Sequence, residues 1–233
     1  MSRLRPDLAH PWRVTREEAA AIQERLALRV ELRPLDCERV KLAVGVDVAY
    51  TRDGSRAWAV AVAMDPRFQV ISTSIAEGEP DAPYAPGYLA FREGRLTLEA
   101  LLGLDAEPDV VFLDGHGVVH ERGLGLASHV GVLLDLATIG VPKTPFHAID
   151  HSPGPHRGDH YVLTKEWGAQ GASVRLKAGV KPVYVSPGHL VDLPSAMAIA
   201  LAWSSGRHRV PEPLSAAHTT SVRTRNAATD GRS

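Results

Sequence analysis

The sequence predicts an α/β domain with a mixed central sheet flanked by helices. Three observations carry this prediction. Between Lys41 and Gly78, three consecutive stretches have strand character and are joined by short links rich in turn residues. After Gly78 the pattern changes to helix, strand, helix, strand. No internal repeat interrupts that order, and this order of elements buries a sheet under helices.

The elements follow in order. TREEAAAIQERLALRV (Thr15–Val30) predicts an amphipathic helix: Thr15 and Glu18 make a capping box, and Ala, Ile and Leu recur at helical spacing. KLAVGVDVAY (Lys41–Tyr50) alternates Leu42, Val44, Val46 and Val48, the period of a strand. AWAVAVAMD and FQVISTSIAEG continue as strands, and the links Arg52-Asp53-Gly54 and Asp65-Pro66-Arg67 make the three an antiparallel meander. PYAPGYLAFREGRLTLEALLGL starts with Pro and Gly punctuation and then reads as helix through Leu104. DVVFLDGH has the short apolar run of a buried strand, SHVGVLLDLATIG reads as helix, and VPKTPF reads as a short strand after Gly140. VKPVYVSPGH reads as strand then turn, and LPSAMAIALAW as a helix beginning near Asp192. One domain is expected over residues 1–218. Residues 219–233, TTSVRTRNAATDGRS, are polar and poor in large apolar side chains, so a disordered tail is expected there. A three-strand meander followed by strand–helix alternation is also the order of the RNase H-like fold.

Composition narrows the function less. The 233 residues fit one domain, with hydrophobic content of 44% and charged content of 23% that suit a folded chain. No apolar run approaches the roughly 18 residues of a membrane span. MSRLRPDLAHPWRV lacks the apolar core of a signal peptide, so a cytoplasmic location is expected. Cys37 is the only cysteine, which excludes an intramolecular disulfide and a cysteine-built zinc site. A net charge of −1 does not announce a nucleic-acid binder, although a local basic groove is compatible with neutral bulk charge.

Chemistry concentrates in a few side chains. Asp47 interrupts one apolar strand and Asp114 ends another. A carboxylate there needs a partner, a cation or a wet edge. If the first and fourth strands are neighbours, Asp47 and Asp114 share a position suited to Mg²⁺, and Glu93 in the intervening helix completes a cluster. Helix caps or edge acids remain the alternative. Gly115, Gly117, Gly123 and Gly125 surround Asp114 with little bulk, which serves either close ligand approach or loop geometry. Tyr84 lies between Pro83 and Pro86, as a stiff exposed wedge or as a buried turn residue. Lys143 follows Gly140 where the chain returns to the sheet edge, and solvation is its alternative role. His116, His120 and His129 leave a histidine-built zinc site open, but HExxH, GxSxG and P-loop signatures are absent.

Six ordered motifs together resemble the endonuclease V family: GVDVAY, PYAPGYLAFREG, LDGHGVVHERGLGLASHVG, IGVPKT, VYVSPGH and RHRVPEPLSAAH. They run through nearly the whole chain. The resemblance implies an RNase H-like fold and metal-dependent hydrolysis of the second phosphodiester 3′ to a hypoxanthine base in DNA, initiating repair. It implies Mg²⁺, with Mn²⁺ substituting. Asp47, Asp114 and Glu93 fall on metal-binding positions, and Lys143 and His218 on catalytic ones. Tyr84 falls on the wedge, and Gly87, Leu89, Gly115 and Gly125 on the base pocket. His116, His120 and His129 then become groups around the metals or phosphates rather than zinc ligands, and Arg92, Arg95, Arg122 and Lys143 are candidates for a phosphate-holding groove. The expected partner of this monomer is DNA containing deoxyinosine. Inosine-containing RNA and a non-catalytic inosine-binding module are the alternatives. Glu121, Tyr88 and Leu190 depart from the family's usual residues, and Pro142–Tyr161 is rich in Pro and His.

Overall fold

The computed structural model describes residues 4–145, 152–164 and 170–230. A single eight-stranded mixed sheet runs in the order β3-β2-β1-β4-β5-β8-β7-β6. The predicted meander forms: β1 (Ala43–Tyr50), β2 (Ala57–Met64) and β3 (Val70–Gly78) pair antiparallel. β1 also pairs in parallel with β4 (Val110–Leu113), which in turn pairs with β5 (Thr138–Gly140). β6 (His160–Thr164), β7 (Gln170–Val174) and β8 (Val183–His189) complete the sheet. Among the described residues no helix is long and apolar enough to cross a membrane.

Two apolar layers cover the faces. On one, Val44, Val46, Val111 and Leu113 pack under α2 (Leu89–Leu102) and α3 (Leu126–Leu134). On the other, Val60, Phe112, Ile139 and Val185 meet α4 (Leu193–Ala202) and α5 (Glu212–Asp230). α1 (Arg16–Ala27) starts at the expected capping box, where Thr15 Oγ1 accepts from the Glu18 amide at 3.2 Å. Gly45 allows α5 to cross β1 closely: a Cβ there would lie 2.2 Å from the Pro213 carbonyl carbon.

The structure departs from the sequence expectations in four places. Residues 219–230 are not a disordered tail but the second half of α5. Small side chains let this helix sit on the sheet, with Ala217 and Ser221 fully buried, so no stripe of large residues advertises it. α3 ends at Leu134, where Asp135 takes a left-handed conformation (φ 53) that closes the last turn, and Thr138–Gly140 then forms the strand. The strand therefore precedes VPKTPF. Val141 still donates to the Leu113 carbonyl at 2.8 Å, and Pro142, having no N–H to donate, still accepts from the Tyr184 amide of β8 at 3.1 Å. SPGH continues β8 rather than turning away. The β6–β7 pair has no counterpart in the sequence reading. Within the Pro- and His-rich segment, residues 146–151 lie outside the described residues, as do 231–233.

Candidate active site and base-sized pocket

The parallel register that pairs Val46 with Leu113 puts Asp47 and Asp114 at the next position of adjacent strands. Neighbouring positions of a parallel pair project to the same face, so the two acids meet where the β1–β4 pairing ends, midway along β1 and just past β4. Asp47 is buried, and its Oδ2 accepts from Ser221 Oγ at 2.5 Å and contacts His218 Nδ1 at 3.2 Å. Asp114 Oδ2 accepts from Lys143 Nζ at 2.5 Å. Glu93, from the second turn of α2, accepts from Tyr50 Oη at 2.7 Å. All five residues assigned to catalysis therefore sit around one end of the β1–β4 pair.

Asp47, Glu93 and Asp114 line one small cavity of about 70 Å³, closed by Val46, Val48, Thr97, Leu113 and Leu126. Burial pushes the Glu93 carboxyl up to about 8; the charges of Asp114 and Asp47 push the same way, against the Tyr50 hydrogen bond. Burial and the Glu93 charge also raise the Tyr50 hydroxyl, keeping it a donor. Thr97 Oγ1 is buried in this wall without a hydrogen-bond partner. A cavity whose polar side chains offer only oxygens, with mutually repelling carboxylates and an unsatisfied hydroxyl, fits a hard divalent cation. Asp47 and Asp114 would hold it, with Glu93 close by. Among the described residues no three His, Cys, Asp or Glu side chains are grouped closely enough to hold a metal ion by themselves, so waters or phosphate oxygens would complete the coordination.

A larger pocket of about 480 Å³ adjoins this cavity, and Asp114 and Lys143 belong to its wall. Tyr84, Gly87, Leu89, Gly115 and Gly125 line it, so every residue assigned to wedge and base pocket faces one space. Tyr84 is 68% exposed at the rim, which excludes the buried-turn alternative. The glycines serve loop construction more directly than ligand clearance. A Cβ on Gly125 would lie 2.3 Å from the His116 carbonyl oxygen, and one on Gly115 3.0 Å from the Leu126 Cβ. Gly87 has a φ of +80, which a side chain would strain.

The histidines separate, so no zinc site forms from them. His116 lines the pocket. His120 Nδ1 accepts from the Arg122 amide at 3.2 Å, which leaves Nε2–H to donate to the Gly87 carbonyl at 2.9 Å. His129 is fully buried away from both cavities; its Nε2 is 2.7 Å from His10 Nε2, and Trp12 stacks on it at 5.4 Å. It is no phosphate-side group. Three of the four cations suggested for a groove are held internally. Arg92 lies over the Tyr50 ring at 4.4 Å and donates to the Ala82 carbonyl, Arg95 pairs with Asp81 and Glu99, and Arg122 pairs with Glu121. Lys143 is the one of the four that bonds directly to one of the three acids.

The sequence reading missed the supporting residues. Ser221 lay in the presumed tail, although its spacing of three from His218 is a helical signal. Arg209 Nη2 donates to the carbonyls of Lys143 and Pro182 at 2.7 and 2.6 Å and fixes the Lys143 segment. Tyr50, Thr97 and Gln23 are recognisable only once the elements are assembled.

Comparison with known proteins agrees with this geometry. The sequence model of endonuclease V matches residues 24–219. The chain is 43% identical to endonuclease V of Methanothrix thermoacetophila over 215 residues, 92% of this chain and 94% of that one. It superposes on endonuclease V of Streptomyces avermitilis with a TM-score of 0.87 and 42% identity, covering 94% and 96% of the two chains. It is also similar to Ciona intestinalis endonuclease V, solved with a 24mer DNA containing an inosine followed by a ribo-adenosine, with a TM-score of 0.81, 28% identity, and coverage of 91% and 98%. The fold is RNase H-like, the activity is that of a nuclease, and the chain belongs to the endonuclease V family.

Proposed function

We propose that this nuclease recognises deoxyinosine in DNA and hydrolyses the second phosphodiester 3′ to the lesion, initiating repair, with Mg²⁺ as cofactor and Mn²⁺ able to substitute. The observation that carries this reading is the shared wall: Asp114 lines both the acidic cavity and the pocket of about 480 Å³, and Lys143, bonded to Asp114, lines the pocket beside it. A base drawn into that pocket brings its own strand's backbone to the acids. The inosine-containing DNA bound by the Ciona relative supports the choice of base.

Each residue then has a role. Tyr84, held between prolines at the rim, fills the gap left by the displaced base. Gly87, Leu89, Gly115 and Gly125 form the walls that receive it, and a flipped base is read there along its Watson–Crick edge. Asp47 and Asp114, with Glu93 beside them, would hold the divalent ion. When bound, the ion polarises the phosphate and lowers the pKa of water. Lys143 carries positive charge beside Asp114 to position a phosphate oxygen. His218, half exposed and tied through Nδ1 to Asp47, presents the other ring edge outward to hold or move a proton.

A second reading, cleavage of inosine-containing RNA, is favoured by one observation: the DNA in the Ciona complex carries a ribonucleotide after the inosine. Incubation of the protein with end-labelled strands of both kinds, with Mg²⁺ or with EDTA, separates the two. Metal-dependent nicking of inosine DNA supports the first reading. Nicking of inosine RNA alone moves the activity to RNA, and nicking of neither contradicts both.

A further inference from the structure

The base-sized pocket has two arms from distant parts of the chain: Tyr84–Leu89 on one side, and the loop from His116 to Gly125 on the other. They meet at the Gly87 carbonyl, which accepts from His120 Nε2 at 2.9 Å and from Gln23 Nε2 at 2.9 Å. The same Gln23 nitrogen also donates to the Leu124 carbonyl at 3.3 Å. One side-chain amide of α1 thus bridges both arms with its two N–H groups. Its Oε1 accepts from Arg122 Nη1 at 3.3 Å. Arg122 carries the link back to the first arm by donating to Tyr88 Oη at 2.9 Å, with its guanidinium 4.9 Å from the ring centre.

Gln23 is 1% exposed, on the buried face of α1 shared with Ala19 and Leu26. Packing alone would be met by an apolar residue there. A buried amide is costly unless every group is paired, and here its donors and its acceptor all reach the two arms, at Gly87, Leu124 and Arg122. The bonds also change what the pocket offers. With two donors on it, the Gly87 carbonyl has no lone pair left for a base. A carbonyl held by a donor from each side fixes the spacing of the two arms, and with it the fit of a base that enters between them.

We propose that Gln23 is a specificity-determining positioning residue: by bridging the two pocket arms it sets their separation, and with it the fit of hypoxanthine against adenine. This rests on the base-pocket reading above.

The test compares the wild-type chain with Gln23→Met, which keeps the volume and loses the polar contacts, and Gln23→Glu, which keeps the shape and loses the donors. Steady-state cleavage is measured on duplexes carrying one deoxyinosine or one adenine at the same position, alongside calorimetric Mn²⁺ affinity and melting temperature. Both variants are expected to raise KM for the inosine duplex about tenfold and to lower the inosine-to-adenine ratio of kcat/KM by about the same factor, the effect of roughly one hydrogen bond. The value of kcat and the Mn²⁺ affinity stay within about twofold. Unchanged KM and selectivity in both variants overturn the proposal. So does a parallel loss of kcat, Mn²⁺ affinity and melting temperature, which marks a structural role only. Wild-type protein that cuts the two duplexes equally overturns the base-pocket reading itself, and with it the role of Gln23.

Discussion

Ser221 Oγ donates to Asp47 Oδ2 at 2.5 Å, joining the last helix to the first strand across 174 positions of sequence. His218, one turn earlier on the same helix, contacts the same oxygen. Two contacts on one oxygen fix the rotation of a carboxylate that lines the acidic cavity. The geometry depends on a helix that can approach β1 because Gly45 has no side chain.

Ser221→Ala is therefore expected to weaken Mn²⁺ binding about tenfold or more, the usual cost of removing a group that orients a metal ligand. Ser221→Thr, which keeps the hydroxyl, should retain most of the affinity. Calorimetric titration decides the matter, and equal affinity in wild type and Ser221→Ala would refute the orienting role.

Lys143 Nζ is 2.5 Å from Asp114 Oδ2, and both line the pocket. Lys143→Met keeps the chain length and removes the charge. The expected result is a loss of kcat of about 10²-fold or more, typical of removing one preorganised electrostatic group. Single-turnover cleavage measures it; a rate within a few-fold of wild type would show that the lysine serves only to pair Asp114.

The Glu93 carboxyl, pushed from 4.5 up to about 8, makes a signed statement about stability. Between those values the folded metal-free protein binds more protons than the unfolded chain, so Glu93 lowers stability as pH rises. Glu93→Gln should remove this slope and melt higher than wild type at pH about 8 in EDTA, while losing activity. Urea midpoints across pH give the answer, and identical slopes in the two proteins would contradict it.

The N-terminal segment responds to pH in the opposite sense. Burial lowers the pKa of both His10 and His129, His129 the more strongly. The unfolded chain binds more protons than the folded one once pH falls below about 6.5, so their contribution is present above that value and is lost on acidification. The Arg5 amide, bonded to the Leu133 carbonyl at 2.8 Å, should lose hydrogen-exchange protection between pH 7 and 5 before the strands do. Uniform protection across that range would argue against a weakening of the His10–His129 contact.

What the sequence made legible follows from the range of the forces involved. Alternation in β1 and β2, the turn links and the short VVFL run are local patterns, so the meander could be read directly; Asp47 beside Asp114 needed the further condition that the first and fourth strands be neighbours, which the β1–β4 pairing meets. Tyr84 and Lys143 were placed by motif order, and the structure puts them at the rim and wall of one pocket. The β6–β7 pair was not legible because β6 is largely exposed and lacks an apolar alternation. α5 was hidden because Ala217 and Ser221 are chosen for close approach, not for hydrophobicity. Gln23, Arg122 and Tyr88 looked like an ordinary helix residue, a groove cation and a departure from the family pattern. Their hydrogen bonds are long-range and appear only in the assembled fold.

The most direct test of the account is the position of the nick. A duplex with a single deoxyinosine, labelled at the 5′ end of the lesion strand, is incubated with wild-type protein, Asp47→Ala and Tyr84→Ala in Mg²⁺, and the product is sized against a ladder. The account predicts one cut at the second phosphodiester 3′ to inosine for wild type. Asp47→Ala should not cut but should still bind, and Tyr84→Ala should cut the same bond with weakened lesion binding. A cut elsewhere, a cut independent of inosine, or a fully active Asp47→Ala would contradict it.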